Sequence, residues 1–65
     1  MNIIEATKQA IEQNKCIYDP RFPDVKMRPN SLIPFDIMYM DGSNVKHCWN
    51  PTGEDILSDS WELCD

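Results

Sequence analysis

Residues 49–61 read WNPTGEDILSDSW, and this stretch predicts how the second half of the chain folds. Pro51 has no backbone N–H for a strand ladder, so an extended segment that reaches it must turn there. Thr52 is placed to accept a hydrogen bond from the Asp55 N–H while Asp55 reaches back to it, which is a variant of the capping box. Residues 61–63 alternate apolar and polar side chains, as a short strand does. The stretch therefore predicts a strand, a turn, a helix of one or two turns and a closing strand.

The N-terminal residues predict an amphipathic helix followed by a short strand. Asn2 lies where an N-cap is expected, with Glu5 three residues later. Apolar side chains recur at helical spacing as far as about Gln13, and residues 16–18 are β-prone. Residues 19–30 contain three prolines and show no usable period, so this segment is predicted to be a loop.

A β-hairpin is predicted in the centre of the chain. Large apolar residues at 33, 35, 37 and 39 alternate with Pro34, Asp36, Met38 and Met40, as in a half-buried strand, and a second strand spans residues 43–49. A three-residue loop that ends in a left-handed Gly42 brings the large apolar residues to one face and places Asp36 opposite Lys46. Together these elements predict a single small α+β domain over residues 1–65. It has an N-terminal helix, a small antiparallel sheet with a central hairpin, a short C-terminal helix and a closing strand.

The length and the cysteines indicate what else stabilises so small a domain. A chain of 65 residues forms a limited core, so disulfides, a metal or self-association usually supplement it. Three widely spaced cysteines without a C-x-x-C pair predict reduced thiols in a cytosolic protein. No apolar run is long enough to span a membrane, and no signal peptide is recognisable. We therefore expect a homo-oligomer, with apolar surface such as Met38 and Met40 covered by association.

The charge argues against a nucleic-acid binder. The formal net charge is −5, from six basic and eleven acidic residues, whereas a protein that follows a phosphate backbone has a basic face. Three of the basic residues are close together in sequence, at Arg21, Lys26 and Arg28. This middle segment is either where an anionic small molecule is received or a solvated loop with scattered charges.

The residues favour binding over catalysis. With one histidine, no metal-ligand spacing among the cysteines and no glycine-rich phosphate loop, we predict no enzyme, no metal and no cofactor. Trp49 either stacks on a base or fills the core, and Phe22 either plugs the core or lines a site. Arg21 or Arg28 would neutralise a phosphate seated on the free N–H groups at the start of the second helix.

Two parts of the chain resemble the Thoeris anti-defence 2 family. Residues 49–52 and 55–62 resemble the C-terminal signature of that family. In the signature a tryptophan precedes a proline and a small hydroxyl residue. A short helix that begins with an aspartate follows, and the signature ends with an acidic residue and a tryptophan. Residues 1–6 and 15–17 resemble the family's first helix and its basic exit into a strand. The resemblance covers most of the chain outside residues 19–30.

The resemblance implies a function and a site. Members of the family are small phage proteins that bind a nucleotide immune signal, typically a cyclic ADP-ribose isomer, and so keep the downstream effector silent. They are homo-oligomers with pockets at the subunit interfaces and act in the cytoplasm of the infected bacterial host. The positions that match are Trp49, Asn50, Pro51, Thr52 and Asp55.

Residues 19–22 depart from the family pattern, which has a tryptophan just after the first strand. This departure leaves a linear ADP-ribose conjugate or a cyclic dinucleotide as other possible ligands. A different class of function is also compatible with the sequence. With its acidic C-terminal surface, the protein could inhibit a host defence protein by binding to it as a nucleic-acid mimic.

Overall fold

The computed structural model describes the backbone of residues 1–65 and the side chains of all of them except Lys46 and His47. In this part of the chain two helices and five strands follow one another: α1 (Ile3–Gln13), β1 (Cys16–Tyr18), β2 (Val25–Arg28), β3 (Asp36–Tyr39), β4 (Asn44–Cys48), α2 (Gly53–Leu57) and β5 (Glu62–Cys64). The strands form one antiparallel sheet in the order β4-β3-β2-β1-β5. The predicted α+β fold, with its N-terminal helix, central hairpin, short C-terminal helix and closing strand, is confirmed.

Helix α1 begins and ends at residues with the expected capping chemistry. The Asn2 side chain accepts a hydrogen bond from the Glu5 N–H at 2.8 Å. Asn14 ends the helix with a φ of 55°, a left-handed conformation that asparagine tolerates better than most residues. Ala6 and Ala10 are buried, and their small side chains allow the helix to approach the sheet closely. The core consists of Ala6, Ala10, Ile17, Met27 and Trp61.

The prediction of a loop over residues 19–30 is wrong for β2. Val25–Arg28 pairs with β1 on one side and with β3 on the other, so it is the central strand of the sheet. Met27 pairs with Ile17 and belongs to the core. A segment of four residues between prolines is too short to show the alternation of side chains that identifies a strand. It forms a strand because it pairs with segments that are distant in sequence. Lys26 is also buried, and its Nζ donates a hydrogen bond to the Asp65 carbonyl oxygen.

The loop of the central hairpin has the predicted length. Gly42 has a φ of 92°, in the left-handed region that glycine adopts most easily. Its N–H donates to the Tyr39 carbonyl at 2.9 Å, and the Tyr39 N–H donates to the Ser43 carbonyl at 2.9 Å. The three-residue loop is therefore confirmed.

The register of the hairpin agrees with the prediction only near this loop. Met38 pairs with Asn44 as expected, but the register then shifts and Asp36 pairs with Cys48. The predicted pairing of Asp36 with Lys46 is thus wrong, and the Lys46 side chain itself is outside the described set. The shift amounts to two residues, so Trp49 stays on the face of Phe35 and stacks on its ring.

The pattern of exposed apolar residues differs from the expectation in one respect. Met38 is buried, because β3 has a neighbour on each side, whereas Met40 is at the surface. The most exposed large apolar side chains are Ile4, Leu32, Ile33 and Leu57. In the part of the chain that the structure describes, neither helix is long and apolar enough to cross a membrane.

Candidate functional site

A cavity of about 330 Å³ opens between one face of the sheet, the turn after β1 and the start of α2. Its volume is at the lower end of the range for small-molecule sites. It is lined by Asp19, Phe22, Val25, Met27, Ile37, Trp49, Thr52, Glu54, Asp55 and Trp61. The cavity therefore has an apolar, largely aromatic interior and an acidic rim.

Three aromatic residues give the cavity its shape. Trp49 stacks on Phe35 with ring centroids 5.6 Å apart and an interplanar angle of 20°. Trp61 meets Trp49 edge to face at 5.6 Å and 76°, which is a favourable geometry for two aromatic rings. Trp61 is almost fully buried, whereas Trp49 is half-buried and Phe22 is 54% exposed. Trp61 thus belongs to the core, while Trp49 and Phe22 have ring surface available to a ligand.

The start of α2 is held by the predicted capping box. The Thr52 hydroxyl accepts from the Asp55 N–H at 3.3 Å, and the Thr52 N–H donates to the Asp55 carboxylate at 2.9 Å. The carbonyl of Asp55 also accepts a hydrogen bond from the indole N–H of Trp61 at 2.8 Å. Asp55 therefore connects the helix start to the core.

Arg21 holds the acidic rim together. Its guanidinium lies 3.0 Å from the Asp19 carboxylate, 3.2 Å from Asp55 and 3.7 Å from Glu54. It also lies over the Phe22 ring, 5.2 Å from the centroid. The sequence predicts that Arg21 or Arg28 neutralises a phosphate, but in the structure the charge of Arg21 is shared among three carboxylates.

The Asp19 carboxylate is buried, and its ionisation depends on its partners. Burial alone would raise its pKa. Hydrogen bonds from the Arg21 N–H and the Ser58 hydroxyl, and the Arg21 guanidinium, outweigh burial and hold the pKa of Asp19 below its usual value. Asp19 is therefore an ionised structural group at neutral pH.

Most of the predicted site residues come together, and three do not. Trp49, Thr52, Asp55 and Phe22 line the cavity, and Arg21 contacts its rim. Asn50 and Pro51 are exposed and do not line it. Arg28 lies away from it, at the end of β2, where it lines a second cavity beside the C-terminal end of α1.

The sequence reasoning missed two groups of lining residues. Val25, Met27 and Ile37 form the apolar wall. Val25 and Met27 were overlooked because β2 was assigned to a loop, whereas Ile37 is on a strand that was predicted but was not assigned to the site. Asp19 was also missed, although an aspartate before a proline favours a turn in which its side chain accepts a backbone hydrogen bond. That bond is present, from the Arg21 N–H to the Asp19 carboxylate at 3.0 Å.

The arrangement is suited to a planar molecule that carries hydrogen-bond donors. The aromatic rings supply a stacking surface, and the rim carboxylates and the Thr52 hydroxyl supply acceptors. Among the described side chains, no group of three His, Cys, Asp or Glu residues is arranged to hold a metal ion.

Comparison of the chain with protein-family models, with curated proteins and with solved structures found no match. The family resemblance of residues 49–62 therefore stays an expectation, and the case for a function is carried by the cavity.

Replacing Thr52 with alanine is expected to lower the free energy of unfolding by about 1 kcal/mol, because the Asp55 N–H loses its cap. Thr52→Ser, which keeps the hydroxyl, is the matched control and should lose much less. Urea denaturation followed by circular dichroism measures both. If serine is as destabilising as alanine, the hydroxyl is not what stabilises the helix start. A loss of ligand affinity greater than the loss of stability would show that Thr52 also contacts the ligand.

Proposed function

We propose that this protein binds a nucleotide immune signal and sequesters it without cleaving it. The signal is derived from ADP-ribose, cyclic or conjugated, and its removal prevents activation of a downstream effector. In this proposal the chain is a phage anti-defence protein that acts in the cytoplasm of the infected bacterial host. The observation that supports it is the aromatic cavity beside the capped helix, together with the family resemblance of residues 49–62.

The chemistry of the cavity matches the nucleoside part of such a ligand. A base can stack on Trp49 or Phe22, and stacking of this kind contributes roughly 1–3 kcal/mol per base. Carboxylates such as Asp55 and Glu54 are suitable acceptors for ribose hydroxyls, as acidic residues are in dinucleotide sites. The acidic rim is unfavourable for phosphates, so we place these toward solvent, beside the exposed part of Arg21.

The state of the carboxylates supports retention over cleavage. A general base for hydrolysis works best with a pKa near the operating pH. The pKa of Asp19 is instead lowered, and its carboxylate is bound to Arg21. The Asp55 carboxylate caps α2 and binds the same guanidinium. Both groups are engaged in holding the cavity together.

A capture-and-return experiment tests the proposal. A cyclic ADP-ribose isomer, linear ADP-ribose and a cyclic dinucleotide are each mixed with excess protein, and binding is measured by isothermal titration calorimetry. The bound compound should disappear from the free pool in proportion to the protein and reappear with unchanged mass after heat denaturation. A cleaved product, or loss of the compound with catalytic amounts of protein, would show that the protein is an enzyme.

A pair of variants locates the binding site in this experiment. Trp49→Ala should weaken binding by about 5- to 150-fold, because it removes the stacking surface. Tyr39→Ala removes an exposed aromatic residue that does not line the cavity, and it should leave the affinity unchanged. Equal effects of the two variants would place the ligand elsewhere.

A second candidate function is inhibition of a host defence protein by direct contact. Ile56 and Leu57 are exposed on α2, next to the acidic rim that contains Glu54. An apolar patch with acidic neighbours suits a basic protein partner. Native mass spectrometry after incubation with an extract of activated defence cells separates the two functions. A small-molecule adduct supports sequestration, and a complex with a host protein and no adduct supports inhibition.

The proposed function also includes self-association. Ile4, Leu32 and Ile33 are each more than half exposed, and association would cover such side chains. We expect sedimentation velocity at micromolar concentration to show a homo-oligomer, with pockets completed at the subunit interfaces. A species of 7.6 kDa at that concentration would contradict this prediction and the interface pockets with it.

A further inference from the structure

Strands β1 and β5 place two cysteines directly opposite each other. Their register pairs Cys16 with Cys64, Ile17 with Leu63 and Tyr18 with Glu62. Directly opposed residues in an antiparallel pair have Cα atoms about 4.5–5.5 Å apart, which is within the range of about 4.4–6.8 Å found for disulfides.

The side chains of this strand pair do meet across it. Opposed residues project from the same face of a sheet, and the next pair on that face is Tyr18 and Glu62. The Tyr18 hydroxyl donates to the Glu62 carboxylate at 3.0 Å. The two thiols are therefore on the same face of the sheet. Their position relative to each other across the two strands is the same as that of Tyr18 and Glu62, whose side chains are in contact.

The third cysteine, Cys48, cannot form a disulfide with Cys64 of the same chain. All three thiols are free, with Cys16 buried, Cys64 half-buried and Cys48 exposed. Cys48 is on β4 and Cys64 is on β5, at opposite edges of the sheet. Four strand spacings separate those edges by roughly 19 Å, which is too far for a disulfide within one chain.

We infer that Cys16 and Cys64 form a redox site, in which a low-molecular-weight disulfide such as oxidised glutathione converts the two thiols into a cross-strand disulfide. The inference is independent of the proposed function, because it depends only on the pairing of β1 with β5. The thiols are expected to be reduced in the cytosol, and an added oxidant would join Cys16 to Cys64.

The exchange proceeds in two balanced steps. The more accessible Cys64 loses its proton, and its thiolate attacks one sulfur of oxidised glutathione and releases one glutathione thiolate. Cys16 then loses its proton and attacks the Cys64 sulfur of this mixed disulfide, which releases the second glutathione. The pair gives up two electrons and two protons, and one glutathione disulfide becomes two glutathione thiols.

The surroundings of Cys64 slow the first step. Burial and then the neighbouring Cys16 raise the pKa of the Cys64 thiol, against the opposite influence of Lys26 and Lys15 and with a further increase from Asp65. A smaller thiolate fraction at neutral pH means slower attack. Closure of the pair is therefore expected to be slow at neutral pH and faster at higher pH.

The cross-link would stiffen one wall of the cavity. Trp61 directly precedes β5, and its ring lines the cavity. A bond between Cys16 and Cys64 ties this edge strand to its neighbour and closes a loop over about three-quarters of the unfolded chain, from residue 16 to residue 64. A loop this long gives a large stabilisation in the chain-entropy model.

The test uses the full chain, folded, in buffers of reduced and oxidised glutathione, followed by alkylation of the remaining thiols and mass spectrometry. We expect one alkylated cysteine, Cys48, and a disulfide between Cys16 and Cys64 identified by peptide mapping. In the Cys48→Ser variant, which removes the exposed thiol, the oxidised form should melt at least about 10 °C higher than the reduced form. Dithiothreitol should reverse the shift.

Adding Cys64→Ser to the Cys48→Ser variant makes the outcome decisive. Cys64→Ser keeps the buried Cys16 and changes only the half-buried partner. If this variant melts near the temperature of the reduced parent, it is folded and can serve as the control. It should lose the disulfide and the shift in melting temperature. Three alkylated thiols in the folded, oxidised parent would overturn the inference. So would a shift that persists in Cys64→Ser, or a disulfide that joins Cys48 of two chains while Cys16 and Cys64 are alkylated.

Discussion

Replacing Trp61 with alanine is expected to remove most of the stability of this domain. The side chain is almost fully buried, packs with Ala6, Ala10, Ile17 and Met27, and donates its indole N–H to the Asp55 carbonyl. Truncating a buried tryptophan costs about 3–5 kcal/mol. A domain of this length has a total of roughly 3–10 kcal/mol, so the variant should be partly unfolded at 25 °C.

Two further substitutions separate packing from the hydrogen bond. Trp61→Phe keeps an aromatic ring beside Trp49 but leaves the Asp55 carbonyl without its donor, so it should cost about 1–3 kcal/mol. Leu57→Ala removes a side chain that is 82% exposed, and it should change the free energy of unfolding by less than about 0.5 kcal/mol. Urea denaturation gives all three values. A loss for Trp61→Ala no larger than for Leu57→Ala would place Trp61 outside the core.

The features that the sequence predicts correctly are those that a few neighbouring residues decide. The caps formed by Asn2 with Glu5 and by Thr52 with Asp55 each involve residues three positions apart. The turn at Gly42 is likewise local, because it needs one residue with a positive φ. Such contacts form wherever the chain has the right residues, so the pattern is sufficient to predict them.

The features that the sequence does not predict depend on partners distant in sequence. Strand β2 has an unremarkable sequence and exists because β1 and β3 pair with it on either side. The register shift in the hairpin accompanies the stacking of Phe35 on Trp49, which the alternation of residues along each strand cannot show.

The candidate site divides in the same way. The segment around Trp49 and Thr52 is recognisable because its residues are consecutive, but its apolar wall comes from β2 and β3. Arg21 and Arg28 look equivalent in sequence as ligands for a phosphate. The fold places Arg21 among three carboxylates at the rim of the cavity and Arg28 beside a different one.

Replacing Arg21 with alanine is expected to destabilise the fold by roughly 2–4 kcal/mol at neutral pH. The substitution leaves the Asp19 carboxylate, whose side chain is 1% exposed, without its counter-ion. Removing one partner of a buried ion pair costs about 3–5 kcal/mol, and the partial exposure of the guanidinium lowers this value. Arg28→Ala, at an exposed position, is the matched control and should change stability by less than about 0.5 kcal/mol.

The dependence on pH shows whether Arg21 acts through its carboxylate partners, and the double variant below isolates Asp19 among them. The pKa of Asp19 is lower in the folded protein than its ordinary value, so its contribution is fully present above about pH 4. That contribution is lost as the pH falls through the folded pKa, because the unfolded state then binds the proton more readily. In Arg21→Ala, burial is less opposed and the pKa of Asp19 should rise. The two proteins should therefore differ most near neutral pH and converge as the pH falls below the folded pKa of Asp19.

Asp41 does not confuse this comparison. Its pKa is also lowered, by hydrogen bonds from Ser43, but the effect is present in both proteins and cancels in the difference. Adding Asp19→Asn to Arg21→Ala removes the uncompensated charge and keeps an oxygen that can accept the N–H of residue 21, so part of the lost stability should return. If the gap between the parent and Arg21→Ala is the same at every pH, and the double variant recovers nothing, then Arg21 stabilises the fold through its contact with Phe22 and not through Asp19.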